Sequence, residues 1–414
     1  MHSLSDVIQR MLKIRCLLRV ILLPFLFCIV PVYAYAGTAA IHLIKQMLNI
    51  EGAEYPAYIP EGYRLDVMSI EIDAPRMMTF TPDDDLLIGS KSGNIYKLEP
   101  PYNKAQTLLE LDNYPHSVIV KDGLLYIAQT DGLYVTRYKA DQKRILPENV
   151  KRLLPLPGGG GHNSRTVRLG PDGKIYLALG IRGNCSDEYL GASYEFNLRR
   201  GGIFVLNNLA KPSWQTYGSG LRNPVGFAWH PVTGVMYASN NGPDHHGFER
   251  PPEYFSRVDP GSFHGMPWFQ YDGLNIVSDD CIDSDPPLPA DKVSIPVAVF
   301  PARNAPMGVE FVDNARFGQS LLNDAVVALR GSWATKPGGG FFGAKKTRRK
   351  PKLVVVRFNK GKALRVDDLV TGFQLEDGSR WARPVGVIMG PDGALYFTSD
   401  SGVNGLFRLR KLEK

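Results

Sequence analysis

Four short stretches hold residue types that can do chemistry together. The first is GGGGHNSR at 158–165, where four glycines deny the chain a regular element and let backbone pass close to a ligand. His162 follows them at the mouth of an apolar strand. An imidazole there can take a proton near neutral pH, or simply cap a backbone group. The second is Leu221-Arg222-Asn223-Pro224. Pro224 holds Asn223 extended. An arginine fork beside a carboxamide suits a ligand rich in carboxylates or other oxygens; bridging two sheets is its plain structural use. The third is Asn241-Gly242-Pro243-Asp244. A turn can aim the carbonyl oxygens of Gly242 and Pro243 at one point, which suits a hard cation such as Ca2+; a turn and nothing more is the bland reading. His245 and His246 follow, with no third ligand spaced to complete a soft-metal site, and read as loop residues near a substrate. The fourth is a set of arginines at strand mouths: Arg330 in RGSW, and Arg380 and Arg383 in RWARP. Trp333 and Trp381 beside them read as packing residues.

The same residues exclude several chemistries. The glycine run lacks the Gly-Lys-Ser/Thr ending of a phosphate loop. There is no CxxCH for covalent haem. The formal net charge is +7, but Arg10, Lys13, Arg15 and Arg19 stand against Asp6 in the first 36 residues, leaving about +4 elsewhere. That is mild, and no basic stripe with interleaved aromatics is present, so no nucleic-acid partner is expected. The loop AKKTRRKPK at 344–352 reads as solvated, with contact to anionic lipid as its alternative.

Residues 1–36 have the anatomy of an export signal: basic residues, an apolar run at 20–32, then the small-x-small site Ala34-Tyr35-Ala36. An uncleaved membrane anchor is the competing reading. Either places the chain outside the cytoplasm, in the periplasm or cell envelope. Of four cysteines, Cys185 and Cys281 lie beyond that segment. A disulfide between them and two separate thiols are both open.

One pattern positions the chemistry. A short apolar strand runs into a Gly/Asp/Pro corner, then an alternating strand, a turn and another strand. Six copies occur, around FTPD at 80, VKDG at 120, LGPDG at 169, WHPVTG at 229, LND at 322 and MGPDG at 389. The corners make tight hairpin turns, and the alternating Ile, Leu, Tyr and Val bury one face of each strand. A single such sheet cannot bury both faces, so the copies stack around an axis. The expected fold is all-β, a six-bladed β-propeller over 62–414 after a variable segment at 37–61; a two-sheet sandwich is the alternative. A strand at 63–72 is expected to complete the last blade. Long insertions at 162–197, 240–296 and 331–351 are expected on one face, building a central site.

With GHNSRTVRLGPDGKIYLALG, GLRNPVGFAWHP, NNGPD, PPEYFSRVDPGSFHGMPW and RPVGVIMGPDGALYFTSD in this order, the chain resembles the pyrroloquinoline quinone (PQQ)-dependent sugar dehydrogenases, the glucose/sorbosone dehydrogenase family, and sits closer to the sorbosone-like branch. The resemblance spans about 63–409. It implies PQQ over the propeller axis, oxidation of a sugar, sugar aldehyde or related alcohol, and an electron acceptor that the sequence does not name. It implies His162 as general base, Arg222 and Asn223 on the quinone, Gly242 and Pro243 as carbonyl ligands of PQQ-bound Ca2+, Arg330 as a basic cofactor contact and Arg383 as one of two clamping arginines. Two positions depart from the pattern. The second clamping arginine falls at Val385, and the acid that orients the histidine in the glucose-oxidising branch falls at Ile181, leaving Asp187 or Glu188 to orient His162, or nothing. A Ca2+-dependent lactonase and a non-catalytic binding propeller at the envelope are the competing functions.

Overall fold

The structure, a computed structural model, describes residues 40–413. The expected export segment lies outside them.

Six sheets surround one axis; five are four-stranded and antiparallel, and the third adds a short parallel fifth strand to its four antiparallel ones. Blade 1 holds Pro75–Phe80, Leu86–Ser90, Asn94–Leu98 and Gln106–Glu110; blade 2 holds Ser117–Lys121, Leu124–Gln129, Gly132–Arg137 and Lys151–Pro155. Blade 3 holds Arg165–Leu169, Ile175–Leu179, Gly202–Leu206 and Trp214–Ser219; blade 4 holds Phe227–Trp229, Met236–Asn240, Glu253–Val258 and Ala298–Phe300. Blade 5 holds Pro306–Phe311, Ala325–Leu329, Lys352–Asn359 and Lys362–Val370. Blade 6 takes Pro384–Met389, Leu395–Ser399 and Gly405–Lys411 from the end of the chain and Tyr63–Ser69 from its beginning. That fourth strand pairs Leu65 with Leu409 and closes the ring, as the sequence suggested.

The second strand of each blade is almost wholly buried because it is sandwiched by neighbouring blades; Leu86 and Ile88 of blade 1 meet Tyr396 and Leu406 of blade 6 in one such layer. Nearer the axis, the inner strands approach so closely that side chains do not fit. A Cβ at Gly226, Gly308 or Gly386 would run into backbone of Met307, Val385 or Arg76 on the next blade. Hydroxyls on the second strands reach the inner strand of the next blade, Ser239 donating to the Met307 carbonyl (2.7 Å) and Thr398 to that of Arg76 (2.8 Å).

Residues 43–60, expected to be variable, form a hairpin of Leu43–Ile50 and Ala53–Pro60. It is fastened to the propeller through Tyr58 and Thr371 and through the Trp381 indole, which donates to the Pro56 carbonyl at 3.1 Å. Trp381 thus packs as expected. Trp333 does not: it is half exposed and lies against Phe341, 5.5 Å between ring centres.

Every inner strand starts, and every second strand ends, at the same end of the barrel of blades. The loops at 180–201, 241–252 and 330–351 all leave from that end. The long connection at 259–297 begins at the other end. It climbs back as Ser262–Phe263 running parallel to Trp214–Ser219, and so brings 264–281 to the same face.

Candidate active site

His162 sits in the loop leading into blade 3. Its backbone carbonyl accepts from two buried guanidiniums, Arg165 (2.8 Å) and Arg200 (2.9 Å). Arg165 also grips the Ser164 and Pro157 carbonyls, and Arg200 those of Gly180 and Gly158. The glycine run is therefore held from beneath by two arginines that sequence reasoning did not single out. Their signal was weak, because an arginine at a strand end or in a loop reads as solvated.

The imidazole Nδ1 lies 2.6 Å from the Ile181 carbonyl oxygen, so it carries the hydrogen and donates. This settles what orients the ring. It is main chain at the position where the glucose-oxidising branch of the resembled family has an acid, and neither Asp187 nor Glu188. Asp187 accepts from Tyr194, and Glu188 from the Arg182 amide and Ser186. Nε2 is left with a lone pair and no partner among the described residues. Burial and the nearby Arg222 charge push the ring's pKa down to about 3, so it is neutral and able to accept a proton.

Across from it stands Asn223. A Cβ placed on Gly180 would lie 2.6 Å from Asn223 Oδ1 and 2.7 Å from the His162 Cβ. The bare glycine is what lets the two side chains share one space. The Asn223 carboxamide makes no hydrogen bond among the described residues, and its buried oxygen is an orphan. Arg222 is buried, its pKa lowered by that burial to about 10. It donates to the Asn184 carbonyl (2.8 Å), to Asn184 Oδ1 (2.9 Å) and to the Asn241 carbonyl (3.3 Å). Asn184 also accepts from the Asp244 amide at 2.6 Å. It is the hub of this corner, and a Cys185–Cys281 disulfide pins it.

Gly242 and Pro243 follow on the same rim. The Gly242 amide donates to Glu253, a buried carboxylate. The carbonyl oxygens of Gly242 and Pro243 accept no hydrogen bond among the described residues, as two main-chain cation ligands require. Asp244 is paired with Arg303 instead.

Arg330 and Arg383 form a second group on blades 5 and 6. Arg383 donates to the Arg330 (3.0 Å) and Gly331 (2.9 Å) carbonyls. Burial and the neighbouring Arg330 lower its pKa to about 9. Arg330 turns only Nε to Asp400 (2.8 Å); its terminal nitrogens make no bond among the described residues. Asp400 is shared with Arg76 of blade 1. Burial pushes its carboxyl up, but Arg76 and Arg330 hold it below the ordinary value. Val385, where the resemblance placed the second clamping arginine, is wholly buried and uncharged; the positive charges acting on Arg383 are Arg330, Arg380 and Arg348. The two groups do not touch. They are linked around the rim by Asn241, whose amide donates to the Asn223 and Pro306 carbonyls.

A family model described as TrAA12-like matches residues 57–262. A Borreliella burgdorferi protein described as uncharacterized is 25% identical over 367 residues, covering 85% of this chain and 90% of its own. Among solved structures, the calcium structure of the Trichoderma reesei carbohydrate-active enzyme family AA12 protein aligns with a TM-score of 0.71 at 17% identity, over 86% of this chain and 98% of that one. The holo form of the pyranose dehydrogenase PQQ domain from Coprinopsis cinerea aligns with a TM-score of 0.66 at 18% identity, over 86% and 97%. The PQQ-bound aldose sugar dehydrogenase from Streptomyces coelicolor gives 0.58 at 16%, over 85% and 99%. What this chain shares with all three solved proteins is the fold.

Proposed function

We propose that the protein is a PQQ-dependent dehydrogenase that oxidises a sugar, a sugar aldehyde or a related alcohol. One observation carries the reading: a neutral histidine with a free Nε2 faces an unpartnered buried carboxamide across Gly180. The names of the similar structures, two with PQQ and one with calcium, support it.

The residues fit the cofactor. PQQ is a tricarboxylate, and Arg222, Arg330 and Arg383 offer guanidinium groups around one mouth. Asn223 would meet the quinone, and the free carbonyls of Gly242 and Pro243 would hold Ca2+. When bound, PQQ supplies the hydride acceptor and Ca2+ a Lewis acid, chemistry that protein side chains lack. His162 accepts the substrate hydroxyl proton at Nε2 while Ile181 keeps Nδ1 protonated. The proton acceptor is held in place, because Arg165 and Arg200 fix the backbone that carries His162.

Export to the periplasm or envelope is part of the proposal, supported by the N-terminal segment and by the disulfide. The acceptor of the electrons belongs outside the chain. The lactonase alternative needs acids converging on the axial metal. Instead Asp244 and Asp400 are taken by arginines, and Glu253 by the Gly242 amide.

Reconstitution with PQQ and CaCl2 tests the proposal, read as PQQ binding and as dye reduction with aldoses and sugar aldehydes. Binding that depends on Ca2+, with turnover, is expected. Absence of PQQ binding in the presence of calcium overturns the reading.

A further inference from the structure

The two histidines at 245 and 246 have a partner that sequence spacing could not show. The climbing connection brings Asp279 beneath them. His245 Nε2 lies 2.9 Å from Asp279 Oδ1 and His246 Nε2 lies 3.2 Å from Oδ2. One ligand atom each from His245, His246, Asp279 and Asp280 falls within 4.8 Å of the others.

The Asp279 side chain is fully buried. Among the described residues its carboxylate meets no lysine or arginine; its side-chain partners are the two imidazoles. A buried carboxylate without a cation is costly by several kcal/mol. A divalent cation between the three groups removes the imbalance. Metal–ligand bonds of about 2.05 Å in a tetrahedral site put neighbouring ligand atoms about 3.3 Å apart, near the 3.2 Å separation at His246 and somewhat beyond the 2.9 Å one at His245.

We propose that His245, His246 and Asp279, with the exposed Asp280 as a fourth ligand, bind a divalent transition metal such as Zn2+. Two imidazoles with carboxylates suit Zn2+ rather than Ca2+, which prefers oxygen ligands throughout. The site is separate from the Gly242 and Pro243 carbonyls and does not depend on the PQQ reading. It fastens the 241–252 loop of blade 4 to the segment that carries Cys281. His245 Nδ1 faces the Asn184 amide (3.3 Å) and the Cys185 sulfur (3.6 Å), so the metal would stand one imidazole away from the hub that sets Arg222.

The test is calorimetric titration of the chelator-treated, disulfide-intact protein with ZnCl2, repeated in millimolar CaCl2. One Zn2+ per chain is expected, undiminished by Ca2+, with a higher melting temperature. His246→Ala and Asp279→Asn should each weaken Zn2+ binding at least tenfold. His246 lies on an exposed loop, so its variant should fold, and circular dichroism checks this. Failure to bind Zn2+, displacement by Ca2+, or equal binding by folded His246→Ala overturns the proposal and leaves a hydrogen-bonded His–Asp–His clamp.

Discussion

His162 and Asn223 lie on the approaches to different blades and flank Gly180, whose missing side chain leaves room for both. Gly180→Ala would put a methyl 2.6 Å from the Asn223 oxygen and 2.7 Å from the His162 Cβ, closer than atoms pack. We expect a folded variant with PQQ affinity reduced tenfold or more and little turnover, measured by cofactor titration and dye reduction; wild-type affinity would show that the gap does not matter. His162→Gln should keep cofactor binding and lose turnover by 10²–10⁴-fold, the usual range for a general base; binding and activity lost together would instead mark a scaffold role. The pH dependence follows from the same ring. It works only when neutral, and its pKa is lowered from the ordinary 6.5 by burial and Arg222. Activity is therefore kept above that pKa and lost as pH falls through it. The acid limb of kcat/KM should lie below 6.5, and a limb at or above 6.5 contradicts the assigned environment.

At the scale of elements, long loops do what the blades cannot. The blades fix strand ends, but Arg222 gets its direction from Asn184, which lies in the blade 3 insertion and is pinned by Cys185–Cys281 across 96 residues of sequence. Closing so long a loop restricts the unfolded chain, and removing the link is expected to cost about 2–5 kcal/mol. Cys281→Ser should lower the melting temperature and weaken PQQ binding, the second effect through Asn184. Stability lost without any change in affinity would separate the disulfide from the site.

At the scale of the molecule, the first propeller strand closes the last blade. Leu65 is buried against that blade although it lies near the start of the described chain. If closure makes the ring one cooperative unit, Leu65→Ala should cost about 2–5 kcal/mol of global stability, like any core leucine. Urea unfolding with hydrogen exchange reads this. Local fraying of Tyr63–Ser69 at unchanged global stability would show that the ring does not depend on its closure.

The sequence by itself determined the blades. Hairpin corners and alternating apolar residues are local signals, so six sheets, the closing strand and the placing of His162, Arg222, Asn223, Gly242, Pro243, Arg330 and Arg383 on loops could be read from residue order. What needed the tertiary structure were the contacts between residues far apart in sequence. Ile181 orients His162 through a main-chain oxygen, which no side-chain identity announces. Val385 carries no charge, and Arg76, from the other end of the chain, shares Asp400 with Arg330. His245 and His246 lacked a third ligand because Asp279 lies over thirty residues on, beyond a connection whose climb back to the mouth no local pattern encodes. Spacing along a chain reports on neighbours within an element; which loops share a rim is decided by how the blades stack.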